Sequence, residues 1–193
     1  MPLSKLGRGT FIQIGEESTW GSAVATPVNN RIISETLLRK QERSQKTHLS
    51  TSTGVFAFDS FDGMEICEGA ITTNIMYNST GMLLYAGCGA VVDQNDTPTA
   101  GKDTHTYTPT DDLPFFTVTL GKGNNGQERF VGMMVSSWSL SIEAGGLMEG
   151  TFNFIGKTSD ARSGAALSPA FSTGNVDVRH FDASTMSFNG VAY

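Results

Sequence analysis

FVGMMVSSWSLSIEAGGLMEGTFNFIGK, residues Phe130 to Lys157, reads as two alternating strands joined by a glycine turn. Trp138, Leu140 and Ile142 point one way while Ser137, Ser139, Ser141 and Glu143 point the other, the periodicity of a half-buried strand. Ala144-Gly145-Gly146 then offers the positive-φ positions of a tight hairpin. Past the turn, Met148, Phe152 and Phe154 alternate with Glu149, Thr151 and Asn153. The stretch holds no catalytic residue set, and a long hairpin with one wet face suits assembly better than chemistry.

The rest of the chain supports this reading. At 193 residues it is long enough for one domain with a full core, residues 1–193 forming a single unit. Its 22 glycines and abundant Ser and Thr predict many turns between short strands, so a mainly β architecture is expected. Thr10 to Ile14 reads as a first strand, and Gly15 to Gly21 as an ordered turn. Ser22 to Asn30, with Pro27, reads as an extended connector. Asn78-Ser79-Thr80 before an apolar Met82-Leu83-Leu84-Tyr85-Ala86 predicts one short helix over about 79–87, closed by Gly87 or Gly89. Glu68 to Tyr77, Thr104 to Thr108, Phe115 to Leu120 and Gln127 to Val135 read as further strands. Near the end, Ser184 to Gly190 echoes the Ser-and-apolar alternation of Ser137 to Ile142, and a partner is expected to complete that last strand.

Residues 43–65 begin with a polar run, RSQKTHLSTST, which has no apolar period and marks a long loop or the tip of an extended hairpin. Phe56 and Phe58 follow, alternating with small partners. The basic residues Arg39, Lys40, Arg43 and Lys46 precede the acidic residues Asp59, Asp62, Glu65 and Glu68. Either the two arms pair with each other at the surface, where such pairs contribute little, or they face different neighbours in an oligomer. On the second reading Arg39, Lys40, Arg43, Lys46, Phe56, Phe58, Asp59 and Asp62 form a subunit interface.

The formal net charge of −6 argues against a surface built on phosphate contacts, which needs clustered Lys and Arg. The first fifty residues nevertheless carry seven basic and four acidic side chains, leaving the remainder strongly acidic. No apolar run of secretory or membrane-spanning length follows Met1-Pro2-Leu3-Ser4-Lys5, so synthesis and folding in a cytoplasm are expected, with no membrane. Cys67 and Cys88 lack zinc-ligand spacing and read as small, reduced core residues. His48, His105 and His180 are isolated, and Gly156-Lys157-Thr158 lacks the upstream glycine of a phosphate loop, Thr151 standing there instead. No GxSxG elbow occurs. The expectation is a non-enzyme with no cofactor and no metal.

The run Arg8-Gly9-Thr10-Phe11-Ile12-Gln13-Ile14-Gly15-Glu16-Glu17-Ser18-Thr19-Trp20-Gly21-Ser22-Ala23 resembles the opening of tail tube proteins from long-tailed bacteriophages. The likeness continues through Ile33 to Leu37, Gly69 to Gly89 and Phe130 to Lys157. It implies an antiparallel β-sandwich or barrel with one short flanking α-helix and a long extended loop or hairpin, similar to the tube proteins of type VI secretion systems. It also implies hexameric rings stacked into a hollow tube in the virion tail, a conduit for DNA that passes without specific binding. Tape measure, terminator and distal tail proteins would then be partners. Charge repulsion from any acidic residues facing the lumen would help the genome slide. The competing reading is a β-sandwich binding or adhesion module displayed on a virion or cell surface, acting as a monomer.

Overall fold

The computed structural model describes residues 10–49, 56–94, 104–122, 127–162, 169–171, 177–179, 187–188 and 191–192. In chain order the elements are β1 (Thr10–Glu17), β2 (Val28–Arg31), β3 (Ser34–Glu35), β4 (Leu38–Leu49), β5 (Phe56–Asn74), α1 (Gly81–Cys88), β6 (Gly89–Gln94), β7 (Thr104–Pro109), β8 (Phe115–Lys122), β9 (Gln127–Ile142), β10 (Met148–Gly156), β11 (Thr158–Arg162), β12 (Ser187–Phe188) and β13 (Val191–Ala192).

The hairpin read from Phe130 to Lys157 is the frame of the molecule. Strand β9 starts in one sheet, where Gln127 to Val131 lie between β8 and β11, and finishes in another, where Met134 to Ile142 pair with β10. Its partner follows the same corner: β10 becomes β11 across Lys157, whose amide donates to the Val131 carbonyl at 3.1 Å. The first sheet therefore has the order β2-β1-β8-β9-β11, and the second runs from β9 through β10 to β5, with β3 and β4 both on the far edge of β5. All the pairings are antiparallel. The mainly β sandwich with one short helix is thus the observed fold.

The corner needs Gly132. Its φ is +69°, and a Cβ there would sit 2.8 Å from the Trp20 indole nitrogen. Bending the strand takes the Gly132 amide out of the sheet ladder, and the buried Glu17 carboxylate receives it: Oε1 accepts from Gly132 N at 2.9 Å and from Thr117 Oγ1 at 2.7 Å, while Oε2 accepts from Gly21 N at 2.8 Å. Trp20 Nε1 donates to the Gly132 carbonyl at 3.3 Å, and Lys157 Nζ lies 4.9 Å from the centre of the Trp20 ring. Strand β1 accordingly runs on to Glu17, past the Ile14 limit read from sequence, and the turn occupies only the residues after it. The ladder with β8, reaching Glu17↔Phe115, outweighs the turn character of Gly15-Glu16-Glu17.

Between the sheets lie Ile12, Ile14, Val118, Leu120, Phe130 and Met133 from the first and Cys67, Ile71, Val135, Phe152 and Phe154 from the second, all buried. Helix α1 adds Leu83 and Ala86. Its limits are close to those expected, and Gly89, at φ +98°, closes it. Thr80 stands at the N-cap without capping the helix: its hydroxyl instead donates to Met76 O at 2.5 Å and accepts from Met76 N at 2.8 Å, pinning the segment that enters the helix.

The two sheets differ in how their outer faces are finished. The connector expected over Ser22 to Asn30 crosses the first sheet up to Pro27 and then becomes β2. Val24 N donates to Thr117 Oγ1 at 3.1 Å, and the Thr26 hydroxyl reaches Gln13 Oε1 and Thr119 Oγ1, each at 3.4 Å. The approach is so close that a Cβ on Gly15 would stand 2.0 Å from the Ala25 carbonyl oxygen. Nothing among the described residues covers the second sheet in this way.

The polar 43–65 segment is a hairpin: β4 pairs with β5 from Leu38↔Glu68 to Leu49↔Phe56, with a register shift between Gln41 and Arg43. Its tip, residues 50–55, lies outside the described residues. Strand β6, not foreseen in the sequence, pairs with β7 as a separate ribbon beside α1. Of the terminal echo, Ser187-Phe188 pairs with Val191-Ala192, and residues 184–186 and 189–190 lie outside the description.

A Glu17→Gln variant offers one acceptor oxygen where three donors converge, which turns an NH₂ group against at least one N–H or O–H. We expect a loss of about 1–3 kcal/mol of stability, the cost of leaving a buried donor unpaired. Urea unfolding checks it, the midpoint falling with the slope unchanged.

Candidate assembly surfaces

All eight residues expected at an interface fall on the β4–β5 hairpin, and the structure brings them together within one chain. Arg39 pairs with Glu65 at 2.8 Å, Lys40 with Glu68, and Arg43 with Asp62 at 3.2 Å. Lys46 stands opposite Asp59 in register, Thr47 opposite Phe58 and Leu49 opposite Phe56, although the side chains of Lys46, Phe56, Phe58 and Asp59 lie outside the described residues. The basic and acidic arms are thus cross-strand partners, as the first of the two sequence readings has it. Exposed pairs of this kind contribute roughly 0–1 kcal/mol each, so the main-chain ladder is the chief support of the hairpin. Glu65 is held more firmly than its neighbours. The Thr158 hydroxyl donates to it and, with the Arg39 guanidinium and the Ser159 backbone, lowers its pKa below 4.5 against an opposing push from burial.

A second surface was hidden in the sequence. From Met134 to Ile142, β9 pairs among the described residues with β10 on one side only, because β8 begins at Phe115, just after Pro114, and its register on β9 ends at Phe116↔Met133. Trp138 stacks on Phe152 with ring centres 6.4 Å apart and donates to the Gly87 carbonyl at 3.2 Å, so the end of α1 shields that position in part. Leu140 and Ile142 overhang the core and remain 39% and 38% exposed. On the opposite margin of the same sheet, Ile33, Leu38 and Met64 are exposed beside β3, β4 and β5. Alternation alone cannot separate a side chain that faces the subunit's own core from one that faces another subunit, since both are apolar on the same face.

The remaining chemistry is sparse. Among the described residues no three of His, Cys, Asp and Glu gather as a metal site. His105 Nδ1 lies 2.6 Å from Asp93 Oδ1 on the exposed β6–β7 ribbon, while the His48 side chain and His180 lie outside the described residues. Gly156 and Thr158 are both spent on ladders, opposite Cys67 and Val131, and Lys157 reaches Trp20. Both cysteines are free, Cys67 buried and Cys88 partly so. Burial, reinforced by the negative charge of Glu65, pushes the Cys67 thiol up to about 11.

A family described as phage tail tube protein matches residues 7–192. The chain belongs to that family. No curated protein matches it. Among solved structures, a chain of the sheath–tube complex of an extracellular contractile injection system, in its extended state, is similar with TM-score 0.48 and 7% identity over 80% of this chain and 88% of that one. A chain of the anti-feeding prophage baseplate is similar with TM-score 0.49 and 10% identity over 84% and 97%. A chain of the native gene transfer agent virion is similar with TM-score 0.46 and 9% identity over 83% and 100%. As a tail tube protein, the chain is a structural component of a phage-type tail.

Two outcomes follow. Because the folded pKa of Glu65 is depressed, its stabilisation is complete above the ordinary value of 4.5 and is lost as pH falls through the lowered one. Amide exchange in β4 and the first half of β5, corrected for intrinsic rates, should therefore accelerate on acidification, and Glu65→Gln should remove much of that pH dependence. For Cys67 the sign is opposite: its contribution holds below 9.0 and is lost towards about 11. Iodoacetamide at mild alkaline pH should modify Cys88 first, with Cys67 reacting only after unfolding, as mass spectrometry of the peptides can show.

Proposed function

We propose that the chain is the repeating subunit of a tail tube, joining sideways into rings that stack around a channel through which a genome passes. The observation that carries this reading is the sheet of β9, β10, β5, β3 and β4, which has no further strand at either margin among the described residues. One margin is the one-sided stretch of β9 under Leu140 and Ile142; the other is the β3–β4 side with Ile33 and Leu38. Such edges invite uncontrolled pairing unless something covers them, and a head-to-tail ring does so by setting one margin of each copy against the other margin of the next. Six copies is the ring size that the family resemblance implies.

In this reading stacking falls to the β4–β5 hairpin, which is paired from Leu38↔Glu68 to Leu49↔Phe56. Arg39, Lys40, Arg43 and Lys46 on one strand and Asp59 and Asp62 on the other give it two charged rails, with Phe56 and Phe58 toward its tip. The tape measure, terminator and distal tail proteins would contact the ends or the bore of the finished tube. On this reading the subunit belongs to the virion tail after synthesis in the host cytoplasm.

Leu140→Asp and Ile142→Asp put a charge on the margin without touching the core. Each should leave the monomer folded by circular dichroism and raise the concentration needed for rings or tubes in negative-stain images by at least about tenfold, the effect of about 1.4 kcal/mol. Unchanged assembly would remove β9 from the contact. Reversing Arg39, Lys40, Arg43 and Lys46 to Glu should shorten tubes while sparing rings. A companion variant that also reverses Asp59, Asp62, Glu65 and Glu68 to Lys restores the cross-strand pairs. If the companion assembles like the native chain, the charges serve the hairpin alone.

A further inference from the structure

The second sheet has one face in the core and one that nothing among the described residues covers, and that uncovered face has an unusual composition for an acidic protein. Ser137 and Ser139 on β9 stand opposite Asn153 and Thr151 on β10, which stand opposite Ala70 and Thr72 on β5. These groups hydrogen-bond to one another: Asn153 Nδ2 donates to Ser137 Oγ at 2.9 Å, and the Thr72 and Thr151 hydroxyls lie 3.2 Å apart. Over the stretches Ser137 to Ser141, Glu149 to Ile155 and Glu68 to Asn74, the acidic residues on this face are Glu149 and Glu68, and Glu68 is neutralised by Lys40. The other acidic residues that the structure describes, Glu143 just past the end of β9 among them, lie outside these stretches.

We infer that this hydroxyl and amide face is the wall of the channel, and that it passes a nucleic acid duplex by near-neutrality rather than by acidic repulsion. The inference rests on the tube reading above and deepens it. The first sheet cannot supply the wall, because the connector over Gln13, Thr117 and Thr119 already covers its outer face. When the margins of the second sheet meet those of neighbouring copies, its uncovered face becomes continuous around the ring. A wall with almost no net charge gives a polyanion no counterion-releasing contacts to stick to. It also creates no repulsive potential against entry. Because the hydroxyls and amides are partly satisfied among themselves, they offer a sliding phosphate fewer unpaired donors.

The test uses tubes assembled from the full chain. Ser139→Cys is placed in a Cys88→Ser background and labelled with a small maleimide dye or with a maleimide carried on a polyethylene glycol too wide for the bore. In tubes the dye should react and the polymer should not, whereas dissociated subunits should react with both. Equal polymer labelling in tubes, or loss of labelling by both reagents, overturns the assignment of the face. In the second arm, short duplex DNA protected from nuclease inside wild-type tubes should be nearly independent of salt. Thr151→Lys tubes should retain more DNA at low salt and release it as salt rises. Uptake by wild-type tubes that climbs with salt reveals an acidic wall and overturns the neutrality. Subunits that never form tubes overturn the tube reading and this inference together.

Discussion

A strand that serves two sheets must break its ladder at the point of crossing, and the rest of this structure depends on how that break is repaired. The Gly132 amide, turned out of the sheet, meets the carboxylate of Glu17, which also takes the Gly21 amide and the Thr117 hydroxyl. One buried anion therefore satisfies the corner of β9, the turn after β1 and the edge of β8 together. Three hydrogen bonds to a charged acceptor are the kind that offset the cost of burying it. Trp20 closes the site from above, with its N–H on the Gly132 carbonyl and the Lys157 ammonium against its ring. Because Lys157 is the corner residue of the β10–β11 side, both strands of the long hairpin are bent at one place by one cluster.

That bend explains why the molecule is finished on one side and open on the other. It directs the first half of β9 into a sheet that already has β8, β1 and β2, and carries the second half beyond the reach of β8. Among the described residues the second half is consequently paired on one side only, and its apolar residues Leu140 and Ile142 stay partly exposed. A straight β9 would have stayed beside β8 and buried them. The open margin is thus a consequence of the fold's central joint.

Much of this was legible in the sequence, and the exceptions have physical reasons. The Ser-and-apolar alternation and the Gly145 turn, at φ +76°, placed the β9–β10 hairpin, and the Gly89 cap closed the helix as expected. The corner was not legible as a corner, since Gly132 sits within an apolar run that continues as strand on both sides, and Glu17 and Trp20, which clamp it, lie more than a hundred positions away. Strand β6 escaped because Gly89-Ala90-Val91-Val92 is short and follows the helix directly. For the surfaces, the charges of Arg39 to Lys46 and Asp59 to Glu68 revealed the hairpin, but register alone decides that they meet each other. Trp138, Leu140 and Ile142 were read correctly as one apolar face. Which body that face packs against is a property of where β8 ends.

The self-pairing of the hairpin changes what its charge can do. Rails of opposite sign, in register on adjacent strands, cancel at distances beyond about 8 Å at physiological ionic strength, so the arm has little long-range field. Its charges can still discriminate at contact, where a like-charged rail is repelled and an opposite one admitted. In the proposed stack this arrangement would give register at the joint without attracting nucleic acid from solution, which a purely basic arm would do. The same economy governs the outer face of the second sheet over Ser137 to Ser141, Glu149 to Ile155 and Glu68 to Asn74, where Glu68 is matched by Lys40 and the other polar groups are uncharged but for Glu149. The surfaces proposed for contact and passage are those where charge has been paired or left out.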